Sequence, residues 1–329
     1  MFPVKSDDEV SADCSSPSFS SGEGQEEISL AHLSDLHLSS LHEVRFRDLL
    51  NKRILGYLSW FAKRRHVHLP EVLTALLTDM RLQRIDHTVI TGDLTHLGLP
   101  FEYREALEWL EQLGDAGQVT VIPGNHDAYW PTSWDNTLAL WEPFMASDSP
   151  FDSKDLFPSL RIRGGLALIG LSTARPSGPF LAVGSLGRKQ QERLEEILAR
   201  TGQKGLLRII LLHHPPVRES INWRKRLTDQ GPFARVLARQ GAELVLHGHA
   251  HRPLAGELPG PAGPIPVLGV PSASEIANGS SRGAKYHIYR FSRRAERWEV
   301  DVFVRAYLPE NGIFIPEKEF RLNLPGFGS

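Results

Sequence analysis

From Ile28 onward the chain repeats one pattern: a short apolar run, closed at once by polar residues. The runs are Ile28–Ser34, His87–Thr91, Val119–Pro123, Leu166–Ser172, Leu207–Leu212, Leu244–Leu246 and Ile265–Val270. Several carry β-branched residues and are bounded by Gly or Pro, as buried strands are. Helical patterns lie between them at Glu71–Arg84, Glu102–Leu113, Arg188–Arg200 and Phe233–Gln240, with Pro70 and Pro232 in first-turn positions. Near the C-terminus Tyr286–Phe291 and Trp298–Arg305 read as a hairpin. In its second arm Trp298, Val300, Val302 and Val304 alternate with Glu299 and Asp301, the period of a strand with one buried face. A layered α/β domain over 28–329 is expected, and the strand rhythm alone suggests a doubly wound sheet.

Composition narrows the chemistry. One Cys among 329 residues excludes an internal disulfide framework, a Cys-based zinc site and an iron–sulfur cluster, which leaves 14 His as the nitrogen supply for a metal. The formal net charge of −2 excludes a strongly basic nucleic-acid binder overall. Residues 1–27 hold seven Asp/Glu, one Lys and seven Ser without periodicity, and a disordered acidic tail is expected. Met1–Val10 has no apolar core of a secretory signal, and no run of about 18 apolar residues exists. The expected location is cytoplasmic.

The polar clusters carry the function. Asp35 and His37 follow the first run, Gly92-Asp93 the second, and Gly124-Asn125-His126-Asp127 the third. His213-His214-Pro215 ends the fifth, and His247-Gly248-His249-Ala250-His251 ends the sixth. Ligands of layered α/β folds gather at the carboxyl ends of strands, so the clusters should meet at one site. Imidazole with hard oxygen donors suits Mn, Fe, Zn or Ni better than a calcium or magnesium cage. In extended backbone, residues two apart point the same way, so Asp35/His37 and His249/His251 could each grip as a pair. Seven candidate ligands exceed one ion's need and fit two ions sharing a carboxylate.

Asp-x-His, Gly-Asp, Gly-Asn-His-Asp, His-x-Pro and Gly-His-x-His, in this order over 35–251, resemble the calcineurin-like metallophosphoesterases. Within them Gly-Asp-Leu-Thr, His-His-Pro-Pro and Pro271-Ser-Ala-Ser274 are most similar to the cyclic-nucleotide phosphodiesterase branch. The resemblance implies a four-layer α/β/β/α fold, a β-sandwich flanked by helices. It implies two divalent or mixed-valence ions (Mn, Fe or Zn): Asp35, His37 and His251 on the first, Asn125, His213 and His249 on the second, Asp93 bridging. It also implies hydrolysis of a small phosphoester by a metal-bridging hydroxide, with His126 as acid and Asp127 orienting it. His214 and His247 have a supporting or a packing role, and His96 either reaches substrate or is structural. His32, His66, His68, His87 and His287 read as structural.

One stretch fits that pattern less well. Glu43–Arg65 holds seven Lys/Arg against Glu43 and Asp48, within a basic amphipathic insertion at about 43–68. On a helical wheel Phe46, Leu50, Ile54, Tyr57, Leu58 and Phe61 share a face, opposite Lys52 and Lys63. Either the apolar face packs on the body, or the segment lies on an anionic membrane surface or lipid. The second reading makes the chain peripheral to a membrane and resembles the lipid A precursor hydrolases, which act on lipid-linked pyrophosphates, although those carry Arg where this chain has His126. Tyr57, Trp60 and Phe61 could stack on a nucleic-acid strand, as in nucleases, but the neutral body argues against it. A non-catalytic metal-binding scaffold would be expected to have lost ligands; none of the motif positions is missing.

Overall fold

The computed structural model describes residues 27–326 apart from 39, 149–154, 277–282 and 295–296. The expected tail at 1–27 lies outside the described residues except for Glu27. The strands are β1 (Glu27–Leu33), β2 (His87–Ile90), β3 (Val119–Val121), β4 (Ser159–Arg163), β5 (Leu166–Gly170), β6 (Leu207–Leu211), β7 (Leu244–His247), β8 (Leu254–Leu258), β9 (Ile265–Gly269), β10 (Lys285–Arg294), β11 (Arg297–Leu308) and β12 (Ile313–Leu322). The helices are α1 (Arg53–Ala62), α2 (Pro70–Leu82), α3 (Pro100–Leu113), α4 (Glu142–Met145), α5 (Arg188–Gln203) and α6 (Gln230–Gln240).

Two six-stranded sheets form, in the orders β12-β11-β10-β1-β2-β3 and β4-β5-β6-β7-β9-β8. Parallel pairing joins β1, β2 and β3 in the first sheet, and β5, β6, β7 and β9 in the second. Alternation within each strand builds the layers. Leu30, Val89, Leu168, Ile209 and Leu246 pack together between the sheets. Their neighbours Ala31, Leu33 and Ile90 face outward onto α2 and α3, while Ile169, Ile210 and Val245 face α5 and α6. Each fully buried Leu or Ile contributes roughly 1.5–3 kcal/mol. The result is the α/β/β/α sandwich and not a single doubly wound sheet.

The C-terminal hairpin is the start of a three-stranded meander: β11 also pairs with β12, with a bulge between Val304 and Arg305. β12 gives no alternating signal because it is an exposed edge strand. It even carries Pro316, which an edge tolerates because no ladder donor is needed there.

Candidate metal centre

The seven candidate ligands converge where the two sheets present their strand ends. The first sheet delivers Asp35, His37, Asp93 and Asn125 after β1, β2 and β3; the second delivers His213, His249 and His251 after β6 and β7. Ligand atoms of Asp35, His37 and His251 lie within 4.8 Å of one another, as do those of Asp93, His213 and His249. A third such group, His37, Asp93 and His126, places His126 against the same centre. His213 Nε2 lies 3.2 Å from Asn125 Oδ1 and 3.1 Å from His249 Nδ1. His249 and His251 therefore belong to different groups and do not grip as a pair.

Nor are these residues in extended strand. Asp35, His37, Asp93, His249 and His251 have φ of 53°, 46°, 57°, 70° and 52°, in the left-handed region that side-chain-bearing residues rarely occupy. Strain of this kind persists only where the surroundings over-determine it. Here the motif glycines let the loops close in. A Cβ on Gly124 would stand 2.2 Å from Asp93 Oδ1, and one on Gly248 would stand 1.8 Å from Ser34 Oγ.

Four imidazoles follow one rule, and His249 departs from it, its Nδ1 lying 3.1 Å from His213 Nε2. His37 Nδ1 donates to the Thr95 carbonyl (2.9 Å), His213 Nδ1 to the Thr91 carbonyl (2.6 Å) and His126 Nδ1 to the His96 carbonyl (2.6 Å). A carbonyl only accepts, so each Nδ1 carries its hydrogen and the remaining nitrogen, Nε2, is turned to the centre. His251 is held likewise: Nδ1 lies 2.8 Å from Glu275 Oε2, and Nε2 lies 3.1 Å from Asp35 Oδ1. Such outer partners fix ring orientation in metal sites.

Burial would lower His213, but the Asp93 carboxylate reverses the sign and raises it to about 9. His251 also overcomes burial, and the Asp35 and Glu275 carboxylates raise it to about 9. Two imidazoliums thus balance two buried carboxylates, and cations binding there would release those protons. The buried atoms His37 Nε2 and His249 Nε2 accept or donate no hydrogen bond within the protein. Buried polar groups are ordinarily satisfied, so the donor set fits metal ions.

Asp127 does not touch the His126 ring. Its carboxylate accepts the backbone N–H groups of Asp93 (2.8 Å), Leu94 (3.0 Å), Thr95 (2.9 Å) and Gly124 (2.9 Å). Asp127 organises the loops; the His96 carbonyl orients His126. The His96 ring is buried and stacks on His37, 4.9 Å between centroids, and does not line the cavity beside His126. His214 packs on His249 at 4.4 Å and contacts Thr173, while His247 lies under Gly269. His32 and His87 are buried and bonded to Thr91 and Thr120.

Three residues join the site without a local signal. Arg64 Nη1 lies 3.1 Å from His126 Nε2; burial, and after it the Arg64 charge, push His126 down to about 3, against the opposing pull of Asp93. His68 lies 4.7 Å from the His37 ring and 2.7 Å, through Nδ1, from Ser274 Oγ. Glu275 follows directly after the Ser272-Ala-Ser274 stretch, whose Ser272 hydroxyl donates to the Asp35 carbonyl. Arg64 and His68 come from 43–68, held to 274–276 by a bridge between His68 and Glu275 and by the Ile276 N–H on the Val67 carbonyl. Beside His126 opens a cavity of about 550 Å³, lined on one side by Lys52, Leu55, Leu58 and Arg64 and on the other by Phe180, Leu181 and Arg224.

A four-layer sandwich whose parallel strand ends bring Asp, Asn and His to paired buried clusters defines a metal-centre α/β protein. The chain belongs to the calcineurin-like phosphoesterase family, whose model matches residues 28–253. It is 28% identical over 181 residues to a probable cyclic nucleotide phosphodiesterase of Synechococcus, covering 54% of this chain and 62% of that one. It is 26% identical over 263 residues to a probable cyclic nucleotide phosphodiesterase of Vesicomyosocius okutanii, covering 79% and 92%. The chain thus spans about three fifths of the first relative and nearly all of the second. Among solved structures, a dimetal phosphatase from Danio rerio shares the fold with a TM-score of 0.55 at 13% identity, over 92% of this chain and 99% of that one. A purple acid phosphatase from yellow lupin seeds gives 0.54 at 12% identity, over 90% and 53%. No helix among the described residues is long and apolar enough to cross a membrane.

Proposed function

We propose that the chain is a two-metal hydrolase of a phosphodiester or phosphomonoester, seated in the cavity beside His126. The observation that carries this reading is the pair of ligand groups Asp35/His37/His251 and Asp93/His213/His249, linked by a third group that shares His37 with one and Asp93 with the other, beside a cavity edged by cations. Asp35, His37 and His251 would hold one ion; Asn125, His213 and His249 would hold the other; Asp93 would bridge. When bound, Mn, Fe or Zn ions supply charge neutralisation at phosphorus and an acidified water, without a covalent enzyme intermediate.

The chain's own groups do the rest. Arg64 is placed to bind a phosphoryl oxygen, and Lys52 and Arg224 lie further along the cavity wall. His126 Nε2, bare in the free protein and 3.1 Å from Arg64 Nη1, would first take a proton from solvent once an anionic ester binds beside Arg64, and would then pass it to the leaving oxygen, with Nδ1 pinned by the His96 carbonyl. Burial first and the Arg64 charge second hold His126 neutral, and an anionic ester beside Arg64 would offset the second. The relatives' names favour a small phosphodiester, such as a cyclic nucleotide. A lipid-linked phosphoester is the second reading, favoured by the apolar wall Leu55, Leu58, Phe180 and Leu181.

Mn²⁺-loaded protein should cleave bis-p-nitrophenyl phosphate, and His126→Ala should lower kcat about 10²–10⁴-fold with metal content unchanged. Full activity in that variant removes His126 from catalysis. Two bound metals per chain without turnover on any ester would leave a binding scaffold.

A further inference from the structure

The segment 43–68 packs on the body through Trp60, Tyr57, Leu49 and Val44 and keeps a second set of apolar side chains outside. Phe46 (78% exposed), Leu50 (69%), Ile54, Leu58 and Phe61 all stand in solvent. Ile54, Leu58 and Phe61 lie on successive turns of α1, and Phe46 and Leu50 precede it in and just after a 3-10 turn at Phe46–Leu49. The inward face is held instead by Arg53 and Trp60, both buried. Arg53 Nε donates to the Leu97 carbonyl (2.9 Å) and Nη2 to the Gly98 carbonyl (2.6 Å). A Cβ on Gly56 would stand 2.5 Å from Leu97 Cδ2, so α1 is locked in this orientation by close approach. Burial of Trp60 also withdraws it from any stacking on a nucleic-acid strand.

The stripe runs into the mouth of the catalytic cavity, because Leu58 belongs to both. Across the mouth stand Phe180 (77% exposed), and Trp223 (59% exposed) between the cavity residues Asn222 and Arg224. Exposed cations Arg45, Arg47, Lys63 and Arg65 flank the stripe, with Glu43 the one exposed acid of the segment. A second copy of the chain would bring this positive rim against itself. An anionic surface neutralises it while taking up the apolar side chains.

We infer that residues 43–68 dock the mouth of the cavity onto an anionic lipid bilayer. Leu50, Ile54, Leu58 and Phe61 enter the boundary between headgroups and acyl chains, and Arg45, Arg47, Lys63 and Arg65 lie among the headgroup phosphates. This placement deepens the phosphoesterase reading, on which it rests only for what the cavity does.

The test is flotation of the full, Mn²⁺-loaded chain with vesicles of phosphatidylcholine alone or mixed equally with phosphatidylglycerol. Wild type should float with the mixed vesicles only and be released by high salt. Leu50→Ser/Phe61→Ser and, separately, Lys63→Glu/Arg65→Glu should each reduce the bound fraction about tenfold or more. Both should keep wild-type turnover of soluble bis-p-nitrophenyl phosphate, which reports that they are folded. Absence of flotation, equal binding to neutral vesicles, or binding unchanged in both variants overturns the inference. So does a dimer in sedimentation that Leu50→Ser/Phe61→Ser dissolves while vesicles capture nothing. Flotation without turnover of the soluble ester would instead count against the phosphoesterase reading and leave the docking intact.

Discussion

The metal centre and the segment 43–68 meet at one cavity and are built on opposite rules. At the centre, charged and polar groups are taken out of water: Asp35, Asp93 and His213 are essentially inaccessible. In the segment, large apolar groups are left in water while Arg53 is buried. Ordinary folding free energy favours neither arrangement, since burying charge costs and exposing hydrocarbon forgoes a gain. Each departure marks a place where something outside the chain completes the environment. Arg64 belongs to both regions and ties them together.

The sharpest way to break the comparison is to spoil the centre alone. Asp93→Asn removes the carboxylate shared by two ligand groups and should lower kcat/KM at least about 10³-fold, with metal content by mass spectrometry falling in parallel. Retained metal and turnover would show that Asp93 bridges nothing. Arg64→Ala tests the link between the regions. It should cost about 10–100-fold on a soluble phosphodiester, whereas its exposed neighbour Arg65→Ala should stay near wild type. Equal effects of the two would dissolve the distinction between inward and outward cations.

The rule of buried polar groups extends beyond the centre, and there pH exposes it. Burial lowers His87 to about 3, below the ordinary value near 6.5. The unfolded chain therefore takes up a proton below about 6.5 that the folded chain refuses until about 3, so stability falls as pH drops through that window. Between pH 7.5 and 5 this one residue should account for about 2 kcal/mol of lost stability. Urea midpoints of wild type and His87→Gln at both pH values measure it, and identical pH slopes would refute it. The smallest effect is expected one layer out from the ligands. Glu275→Gln leaves His251 with a weaker anchor and should reduce metal affinity about tenfold, which a chelator titration would read directly. Unchanged affinity would limit Glu275 to packing.

The candidate ligands are legible because each follows an apolar run at a strand end, where a soluble core would not place Asp or His. Their grouping was legible only through the resemblance, since alternation in extended backbone wrongly pairs His249 with His251. The left-handed backbone at Asp35, His37, Asp93, His249 and His251 has no signature in residue type. Arg64, His68 and Glu275 were invisible for a different reason. They meet through contacts between 64–68 and 274–276, about two hundred residues apart, and nothing local marks such a pairing. Of the expected stripe, Phe46, Leu50, Ile54, Leu58 and Phe61 are exposed but Tyr57 turns inward onto Trp60, because the wheel assumes one continuous helix and does not show that Arg53 and Trp60 take the inner face. Edge strands β4, β8 and β12 escaped notice because half-exposed strands carry little hydrophobic pattern.

The left-handed ligands set a trade between endurance and use. At Asp35 or Asp93 a glycine would relax the backbone by about 1–2 kcal/mol while deleting a donor to the metals. Selection for heat resistance alone would therefore wear away the centre first, one ligand at a time, and leave the sandwich sturdier. Five such residues stand together in this chain, so the local backbone cost is concentrated at the candidate site.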